Sequence, residues 1–446
     1  MSQDTGVSLR CSPSSLTGRS ARRLRFIWVS YGVATIRNDE NGAGAMTEPT
    51  RAILTINCGS SSVKFALYRI ATDPDPALAY SGTIERIGLP DARLTTADGT
   101  GARLTDQHIP APDHTTALAV ALDWLESRPD GQAPDAIGHR IVHGGADYRR
   151  PILIDDAALT NLRRLAPLAP LHLPIEIAAI EALRQRYPAA PQIACFDTAF
   201  HHTMPAVAQT YALAQQWRDQ GVRRYGFHGL SYEYITGELA QRGPIPARVI
   251  IAHLGNGASM AAIRSGQSVE TTMGFTPTGG LVMSSRSGDL DPGVLLYLLD
   301  AGGLTPQALR EAVERDGGLQ GVSGTTGDMR DLFARATSDP RAEAAIELFC
   351  YTARKYLGAL VAVLGGLDLL VFTGGIGEHA AEVRRRICAG FDYLGLRLDP
   401  ASNDAQTPGA ISATDSRVIV QVIPTNEDIM IARHTAAILG KETAGE

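Results

Sequence analysis

Short apolar runs alternate with amphipathic segments from residue 51 to the end of the sequence. The runs AILTIN (52–57) and VKFALYRI (63–70) have the composition and alternation of strands, and the polar turn CGSSS joins them. Strand, glycine turn and helix follow one another in 367–387 and again in 418–439. Apolar residues recur at helical spacing in four further segments, 115–127, 156–165, 175–187 and 304–315. This order of elements predicts an α/β protein.

The strand–turn–strand pattern of residues 52–70 occurs a second time in RVIIAHLGNGASMAAIR, residues 248–264. The two copies share little sequence identity, but both place a turn of small polar residues between two apolar runs. The repetition predicts a duplicated α/β core with a cleft between two lobes. Two stretches rich in Pro and Gly, 243–246 and 276–293, predict loops of the second lobe.

Residues 1–45 differ from the rest of the sequence. They are rich in Ser and Arg, and the run RRLRFIWVSYGVATI has features of a targeting segment. Polar residues interrupt its apolar part, and no suitable cleavage site follows. We therefore favour a disordered extension, or a natural start at Met46, and leave residues 1–45 out of the fold prediction.

Composition narrows the class of protein. Of the 446 residues, 44% are apolar and 20% charged, which is typical of a folded soluble chain. Five cysteines without a CxxC pair do not form a disulfide framework, so we expect a cytoplasmic protein. The net charge of −6 argues against a nucleic-acid or anionic membrane partner. The sequence contains no run of about 18 apolar residues, so we expect no transmembrane helix.

Three loops have the composition of phosphate-binding turns. They are NCGSSSVK (57–64), HLGNGAS (253–259) and GGIGEH (374–379). Small residues let backbone N–H groups approach an anion, and a helix N-terminus adds a positive dipole end. Neither GxxxxGK[ST] nor GxGxxG is present, and each loop alone is also typical of a tight turn. A comparable loop in each half favours phosphate binding.

Several charged residues stand in glycine-flanked loops. Arg140 lies in GHRIVHGG and Arg286 in MSSRSGDLDPG, where an arginine stem has little to pack against. Both are candidates for anion binding, although either alone is also typical of a surface arginine. Asp197 in CFDTAFHH and His228 in RRYGFHGLSY are further candidates, although a single Asp or His is usually structural. With the phosphate-type loops, these residues form the set expected for phosphoryl transfer.

Two other patterns have structural explanations. His139 and His143 are four residues apart, but the intervening Ile and Val predict a strand and the HExxH glutamate is missing, so we exclude a zinc site. In PTNED (424–428), Thr425 and Asp428 match a capping box, which explains Asp428 fully and Glu427 less well. The acids among these candidates complete the phosphoryl-transfer set as groups for Mg²⁺.

Nine segments occur in the order seen in acetate kinases: NCGSSSVKF, GHRIVHGG, APLAPLHLP, FDTAFH, RRYGFHGLSY, HLGNGAS, RSGDLDPG, GGIGEH and PTNEDIMIAR. Over residues 51–440 the chain resembles acetate kinases, which belong to the acetate and sugar kinase, Hsc70 and actin superfamily. The resemblance implies a duplicated two-lobe, ribonuclease H-like α/β fold with the active site in the interdomain cleft. The lobes implied are 50–199 with 425–446, and a nucleotide-binding lobe at 200–424.

The implied reaction is reversible transfer of a phosphoryl group from ATP to acetate by a homodimer, with Mg²⁺ or alternatively Mn²⁺. The implied metal-binding residues are Asn57 and Glu427, and the chemistry adds Asp197, directly or through water. The implied catalytic residues are Asp197, His228 and Arg286. Arg140 is implied to hold the acetate carboxylate, in a pocket formed by Val142, Leu171, Phe227 and Pro277. The implied nucleotide-binding residues are Ser60, Ser62, Lys64, His253, Leu254, Gly255, Asn256, Gly257, Asp328, Met329, Arg330, Gly375, Ile376, Gly377, Glu378 and His379.

Four positions depart from the pattern of the resembled family. Cys58 replaces a common alanine, Gly279 a frequent acid, Ser284 a glycine and His379 an asparagine. None removes a catalytic group, so we expect effects on nucleotide affinity only.

Two alternative functions remain open. A propionate or butyrate kinase has the same motifs, although Val142 and Phe227 narrow the pocket in favour of acetate. An actin-like or Hsp70-like ATPase has the same fold, but it needs no carboxylate-binding arginine.

Overall fold

The structure is a computed structural model that describes residues 51–444, except Ser60, 72–74, Asp130, Gln132 and Gln406, and only the backbone of 441–444. The expectations for residues 1–45 and for Ser60 lie outside the described residues. In the described part of the chain, no helix is long and apolar enough to cross a membrane.

The described residues form strands in two sheets, with helices between them. The strands are β1 (Arg51–Cys58), β2 (Ser62–Ile70), β3 (Ala77–Glu85), β4 (Arg93–Asp98), β5 (Arg103–His108), β6 (Ala136–Ile141), β7 (Ile152–Leu153), β8 (Gln192–Phe196), β9 (Arg248–Leu254), β10 (Ala258–Arg264), β11 (Gln267–Thr271), β12 (Leu369–Thr373), β13 (Gly409–Ala410) and β14 (Ile419–Val422). The helices are α1 (His114–Glu126), α2 (Asp156–Leu165), α3 (Leu173–Arg186), α4 (Ala206–Gln209), α5 (Gln215–Asp219), α6 (Gly229–Arg242), α7 (Pro292–Asp300), α8 (Pro306–Glu314), α9 (Gly318–Ser323), α10 (Met329–Arg335), α11 (Pro340–Leu364), α12 (Gly374–His379), α13 (Ala381–Cys388), α14 (Pro400–Asp404) and α15 (Glu427–Ala444).

The two sheets contain the same five-stranded unit. The strand order is β5-β4-β3-β2-β1-β6-β8-β7 in the first sheet and β11-β10-β9-β12-β14-β13 in the second. In each, an antiparallel meander is followed by two strands that run parallel to its first strand. The duplicated α/β core expected from the two strand–turn–strand segments is confirmed.

Most of the predicted elements are present, with one difference in the helix after β12. The segments 115–127, 156–165, 175–187 and 304–315 correspond to α1, α2, α3 and α8. The single helix expected after β12 is two helices, α12 and α13, because the chain leaves helical geometry at Ala380. The loop predicted at 276–293 ends where Pro292 begins α7, a position that proline favours.

The last helix returns to the first sheet and packs directly on β6. An added Cβ at Gly138 would lie 2.3 Å from Thr435 Oγ1 and 2.5 Å from Ile431 Cγ2, so only glycine permits this contact. The close approach sets the position of Glu427, in the first turn of α15, relative to Arg140 on β6.

We expect Gly138→Ala to lower the free energy of unfolding by about 1–3 kcal/mol, because the added methyl group overpacks the contact between α15 and β6. Urea denaturation measures the change. Gly237→Ala on α6 is the control: nothing lies within 4 Å of its added Cβ, and alanine in a helix interior is favoured by about 0.5–1 kcal/mol. Equal stability of both variants would contradict the predicted contact.

Candidate active site

Three of the predicted site residues meet at the carboxyl ends of neighbouring parallel strands. Asn57 lies near the end of β1, Arg140 near the end of β6, and Asp197 directly after β8. Arg140 Nε donates to Asp197 Oδ1 at 3.1 Å and to Oδ2 at 3.0 Å, and Arg140 Nη1 donates to Asn57 Oδ1 at 3.2 Å. A further donor, Nη2, also bonds Asp197 Oδ2. The parallel register of the strands therefore assembles this cluster.

The arginine and the aspartate of this cluster are both buried, and each alters the other's ionisation. Burial raises the pKa of Asp197 to about 6, even though the charge of Arg140 lowers it. Burial alone lowers the pKa of Arg140, but the charges of Asp197 and Glu427 raise it above its ordinary value. Arg140 therefore stays cationic, and its bonds to Asp197 fix the plane of the guanidinium.

Glu427 reaches the same cluster from α15. Burial raises its pKa, but Arg140, His253 and Lys64 together lower it below the usual value, so the carboxylate stays charged. This carboxylate has no hydrogen-bond partner among the residues that the structure describes.

The capping box expected from Thr425 and Asp428 is wrong. Asn426 Oδ1 instead accepts the Ile429 N–H at 3.0 Å. The helix begins at Glu427, so Asn426 is the cap residue, and the Thr425 hydroxyl is bonded to Ser231 Oγ on α6, at 2.8 Å.

The second sheet contributes a tight turn between β9 and β10. The turn follows His253 and Leu254 and contains Gly255, Asn256 and Gly257. Gly255 N–H donates to Gly257 O at 3.0 Å, which closes the turn. Ser284 N–H donates to Asn256 O at 3.1 Å, which joins the turn to the segment that carries Arg286.

His228 and Arg286 converge on this turn. An added Cβ at Gly257 would lie 3.0 Å from His228 Nε2 and 3.5 Å from Arg286 Nη2. Burial lowers the pKa of Arg286 to about 10, with a further contribution from Arg140, so Arg286 is still cationic near pH 7. Its Nη1 donates to Pro277 O at 2.7 Å.

His228 has a strained backbone. It occupies the left-handed region, with φ 59° and ψ 26°, at the start of α6. A non-glycine residue pays roughly 1–2 kcal/mol for this conformation, and such strain is concentrated at functional sites. Burial and the charges of His253, Arg140 and Arg286 lower the pKa of His228 well below its usual value, so its ring is neutral near pH 7.

Two residues predicted to line the acyl pocket belong to one buried apolar cluster. Val142 and Phe227 are almost completely buried in it, and Pro277 is buried beside Arg286 through its carbonyl group. Leu171 precedes His172, whose pKa is lowered to about 3 by burial and by the charges of Arg286 and Arg140. Of the predicted pocket residues, Pro277 therefore bonds Arg286, and Leu171 is next to a histidine that interacts electrostatically with both arginines.

The remaining nucleotide-site predictions differ in how free their side chains are. Asp328 accepts the Arg330 N–H at 2.8 Å and pairs with the Arg330 guanidinium, so both side chains are used locally. Glu378 Oε1 accepts the N–H of Gly374 at 2.8 Å and of Thr425 at 3.2 Å. The N–H of Gly374, at the start of α12, is therefore already bonded, where the sequence predicted a free one. Met329 is buried, and Ser62 and Lys64 lie on β2. Gly375, Ile376, Gly377 and His379 lie in α12.

Two of the departures from the resembled family also have local explanations. Ser284 Oγ donates to Gly327 O at 2.9 Å, a bond to the segment of Asp328 that glycine cannot make. Burial raises the pKa of the Cys58 thiol to about 12, with a further contribution from Glu176, so this thiol is unreactive near pH 7.

Sequence reasoning missed Glu176, an acid beside the pocket. Its two carboxyl oxygens accept the Val142 N–H at 3.3 and 3.1 Å, and the side chain is fully buried in the site. Burial raises its pKa to about 8 against the lowering effect of Arg140. The signal was available, because Glu176 occupies a position of α3 whose helical neighbours Leu173, Ile177 and Ile180 are all buried.

The raised pKa of Glu176 predicts that the stability of the protein depends on pH. Between its usual pKa of 4.5 and about 8, the unfolded chain loses the proton while the folded chain keeps it, so the free energy of unfolding falls as pH rises. A glutamine side chain at this position does not titrate. We therefore compare the free energy of unfolding of Glu176→Gln with that of the unsubstituted protein. As pH rises from about 4.5 to 8.5, we expect the difference to change by on the order of 3–5 kcal/mol in favour of Glu176→Gln.

Urea denaturation at both pH values measures this gain. Glu181→Gln is the control, since Glu181 lies on the same helix in a surface ion pair with Arg163. A difference between Glu176→Gln and the unsubstituted protein that stays constant with pH would contradict the prediction.

Comparisons with known proteins identify the family and the fold of the chain. The profile of the Acetokinase family matches residues 52–433. The acetate kinase of Rhodopseudomonas palustris is 49% identical over 389 residues, which are 86% of this chain and 97% of that protein. The crystal structure of Porphyromonas gingivalis acetate kinase superposes with a TM-score of 0.77 at 36% identity, over 87% of this chain and 100% of that one. A propionate kinase from Francisella tularensis superposes with a TM-score of 0.80 at 35% identity, over 87% and 99%. The chain has the two-sheet fold of these kinases, and it belongs to the acetokinase family.

Proposed function

We propose that the protein catalyses the reversible transfer of a phosphoryl group from ATP to acetate, giving acetyl phosphate and ADP. One observation carries the proposal: Gly229 N–H donates to Asp197 O at 2.9 Å, which joins the Arg140 cluster to His228, and a Cβ added at Gly257 would lie 3.0 Å from His228 Nε2 and 3.5 Å from Arg286 Nη2. An arginine that can bind a carboxylate therefore lies beside a turn that can bind phosphate.

The chemistry needs charge and orientation more than it needs a base. Acetate is already ionised near pH 7, since carboxyl groups have unperturbed pKa values near 4. The difficulty is the approach of a negative nucleophile to a negative γ-phosphate. Arg140 binds the acetate carboxylate through the N–H groups that Asp197 and Asn57 leave free. Asp197 keeps the guanidinium in the orientation that this requires.

The turn and the two residues that converge on it serve the phosphoryl group. Arg286 offers its positive charge and His228 Nε2 lies beside it, so both reach the same phosphoryl oxygens. The backbone N–H groups of the turn around Asn256 line the phosphate path from the other side. These donors stabilise the charge that develops in the transition state.

The donor set also fits Mg²⁺, or alternatively Mn²⁺. Among the described residues no three His, Cys, Asp or Glu side chains form a metal cluster. Mg²⁺, however, is usually held by one or two carboxylates, water and the substrate phosphates. Glu427, whose charged carboxylate has no hydrogen-bond partner in the described part of the chain, and Asn57 Oδ1 would hold the ion, with Asp197 reaching it through water. When bound, the ion neutralises charge on the β- and γ-phosphates.

The lobes proposed to close around the nucleotide are 50–199 with 425–446, and 200–424. The first sheet contributes Arg140 and Asp197, and the second contributes the turn at Asn256. Closure of such a cleft excludes water from the phosphate, so we expect slow hydrolysis of ATP in the absence of acetate. We further propose that the protein is cytoplasmic and that it binds neither nucleic acid nor a membrane.

We also propose that the protein is a homodimer through α7. This helix of nine residues has no buried side chain, and Leu296 and Tyr297 are 60% and 65% exposed. A helix that is apolar all round normally packs against other protein. A second copy of α7 related by a twofold axis provides a matching apolar surface. The molar mass in solution, measured by light scattering, tests this proposal.

A hydroxamate trap for acyl phosphate tests the function. The protein is incubated with MgATP, hydroxylamine and either acetate, propionate or butyrate. We expect acyl hydroxamate with acetate well above the other two acids. Product mainly with propionate would move the assignment to the chemistry named for the Francisella relative. ATP hydrolysis that does not depend on any acid would instead support a switch ATPase.

We expect Arg286→Ala to lower kcat by roughly 10²–10³-fold, as does the loss of a donor to a transition-state oxyanion. Steady-state kinetics in the acetate direction measure kcat and KM. Arg397→Ala is the matched control, because Arg397 lies in an exposed pair with Asp415. A nearly normal kcat in a folded Arg286→Ala protein would exclude the proposed role.

We expect Val142→Ala to raise the ratio of kcat/KM for propionate to that for acetate by roughly tenfold or more. A methylene group is worth about 1–3 kcal/mol in a hydrophobic pocket, and the truncation makes room for one. Val207→Ala is the control, since Val207 is 82% exposed. An unchanged ratio would show that Val142 does not line the acyl pocket.

A further inference from the structure

The ring of His228 is held from behind by two buried hydroxyl groups that the proposed reaction does not use. His228 Nδ1 lies 2.9 Å from Ser259 Oγ, and Ser259 Oγ is hydrogen-bonded to the phenol oxygen of Tyr232. The side chains of Ser259 and Tyr232 have no solvent exposure. Neither oxygen has another hydrogen-bond partner among the described residues.

The protons of these groups can be placed by accounting for every donor. Two hydroxyl protons need acceptors, because a buried donor without one costs about 1–3 kcal/mol. Both are satisfied only when Tyr232 O–H donates to Ser259 Oγ and Ser259 O–H donates to His228 Nδ1. If Nδ1 carried the ring proton and donated to Ser259, one of the two hydroxyl protons would have no acceptor.

We propose that Ser259 and Tyr232 are positioning residues that fix neutral His228 in the tautomer with its proton on Nε2. The inference rests on the proposed function, in which Nε2 faces the phosphoryl group. A neutral imidazole has one donor nitrogen and one acceptor nitrogen. The Nε2–H tautomer donates a hydrogen bond to a phosphoryl oxygen, whereas the other tautomer would present a lone pair to an anion.

The elements around His228 support this geometry. His253 stacks on it with ring centroids 4.3 Å apart and an angle of 27° between the planes. Ser259 lies opposite His253 in the register of β9 and β10, so sheet pairing places the serine beside the stacked rings. His253 Nδ1 is itself 2.8 Å from the Oγ of Ser231, the neighbour of Tyr232 on α6. Two neighbouring residues of α6 thus contribute hydroxyl groups: Ser231 bonds the His253 ring, and Tyr232 bonds the serine that holds the His228 ring.

Three variants separate positioning from folding. Ser259→Ala removes the donor to Nδ1 and leaves the Tyr232 hydroxyl without an acceptor, so both tautomer control and stability are lost. Tyr232→Phe leaves Ser259 O–H with only Nδ1 as its acceptor, so the tautomer is kept. The double variant Ser259→Ala/Tyr232→Phe removes both hydroxyls, so no buried hydroxyl proton lacks an acceptor and stability recovers relative to Ser259→Ala.

We expect kcat to fall by about 10²-fold in Ser259→Ala and to stay equally low in the double variant, although the double variant is the more stable one. In Tyr232→Phe we expect a decrease of less than about tenfold. KM for acetate and for ATP should change little, because the bond is to the transferring group. Recovery of kcat in the double variant together with stability would show a purely structural role and overturn the proposal.

The tautomer itself is read from two-bond ¹H–¹⁵N spectra of the chain labelled with ¹⁵N-histidine. His228→Asn assigns the signals, since asparagine tolerates the left-handed backbone at this position. We expect an unprotonated Nδ1 in the unsubstituted protein and in Tyr232→Phe, and a mixture of tautomers in both variants that lack Ser259. A protonated Nδ1 in the unsubstituted protein would overturn the proposal.

This measurement needs no acyl acceptor, so it is independent of the proposed reaction. If the hydroxamate trap yields no product while His228 is protonated on Nε2, the proposed function fails and the tautomer assignment stands. If acetate is phosphorylated by a protein with Nδ1 protonated, the function stands and the role of Ser259 and Tyr232 fails.

Discussion

The buried bond between Arg140 and Asp197 is the constraint on which the rest of the site depends. Two charged groups taken out of water recover their desolvation cost only when geometry is good and the remaining donors are satisfied. Here three bonds join the pair, and Asn57 takes a further N–H. Such a pair contributes little net stability compared with apolar packing. It does orient the guanidinium, which is what recognition of a small carboxylate requires.

Burial, with a contribution from the arginines, sets the ionisation of the nearby histidines. Burial lowers the pKa values of His172, His228 and His253, and nearby arginines lower each one further. In the reaction that we propose, two tasks are separate. Arg140 and Arg286 supply positive charge, and the neutral imidazoles supply directional hydrogen bonds. Because a neutral ring is useful as a donor only in one tautomer, the groups behind each ring acquire a role that charge alone would not need.

Much of the fold followed from the sequence, as did the candidate residues of the proposed site, and what was missed shares a physical cause. The strand–turn–strand repeats are local patterns, and residues such as Arg140 and His228 lie in motifs that can be recognised in the chain. Ser259 and Glu176 act through partners 31 and 34 residues away. The apolar neighbours of Glu176 on α3 indicate its burial, but no local pattern indicates either partner. The predicted capping box also missed a distant partner, since the Thr425 hydroxyl is bonded to Ser231, 194 residues away.

The bond between Thr425 and Ser231 explains how the segment that precedes α15 is attached to both sheets. Thr425 N–H donates to Glu378, which also holds the first N–H of α12 at the end of β12. The Thr425 hydroxyl reaches Ser231, which in turn contacts His253 at the end of β9. The segment is thus bonded to groups near the ends of β9 and β12 in the second sheet. The helix α15 that follows it packs on β6 of the first sheet through Gly138. Glu427 stands where these two attachments meet. A change in the angle between the sheets must therefore move Glu427 relative to Arg140 or strain the bonds of Thr425. In either case Glu427, which we propose to hold the metal, and Arg140, which we propose to bind the acyl group, are mechanically linked.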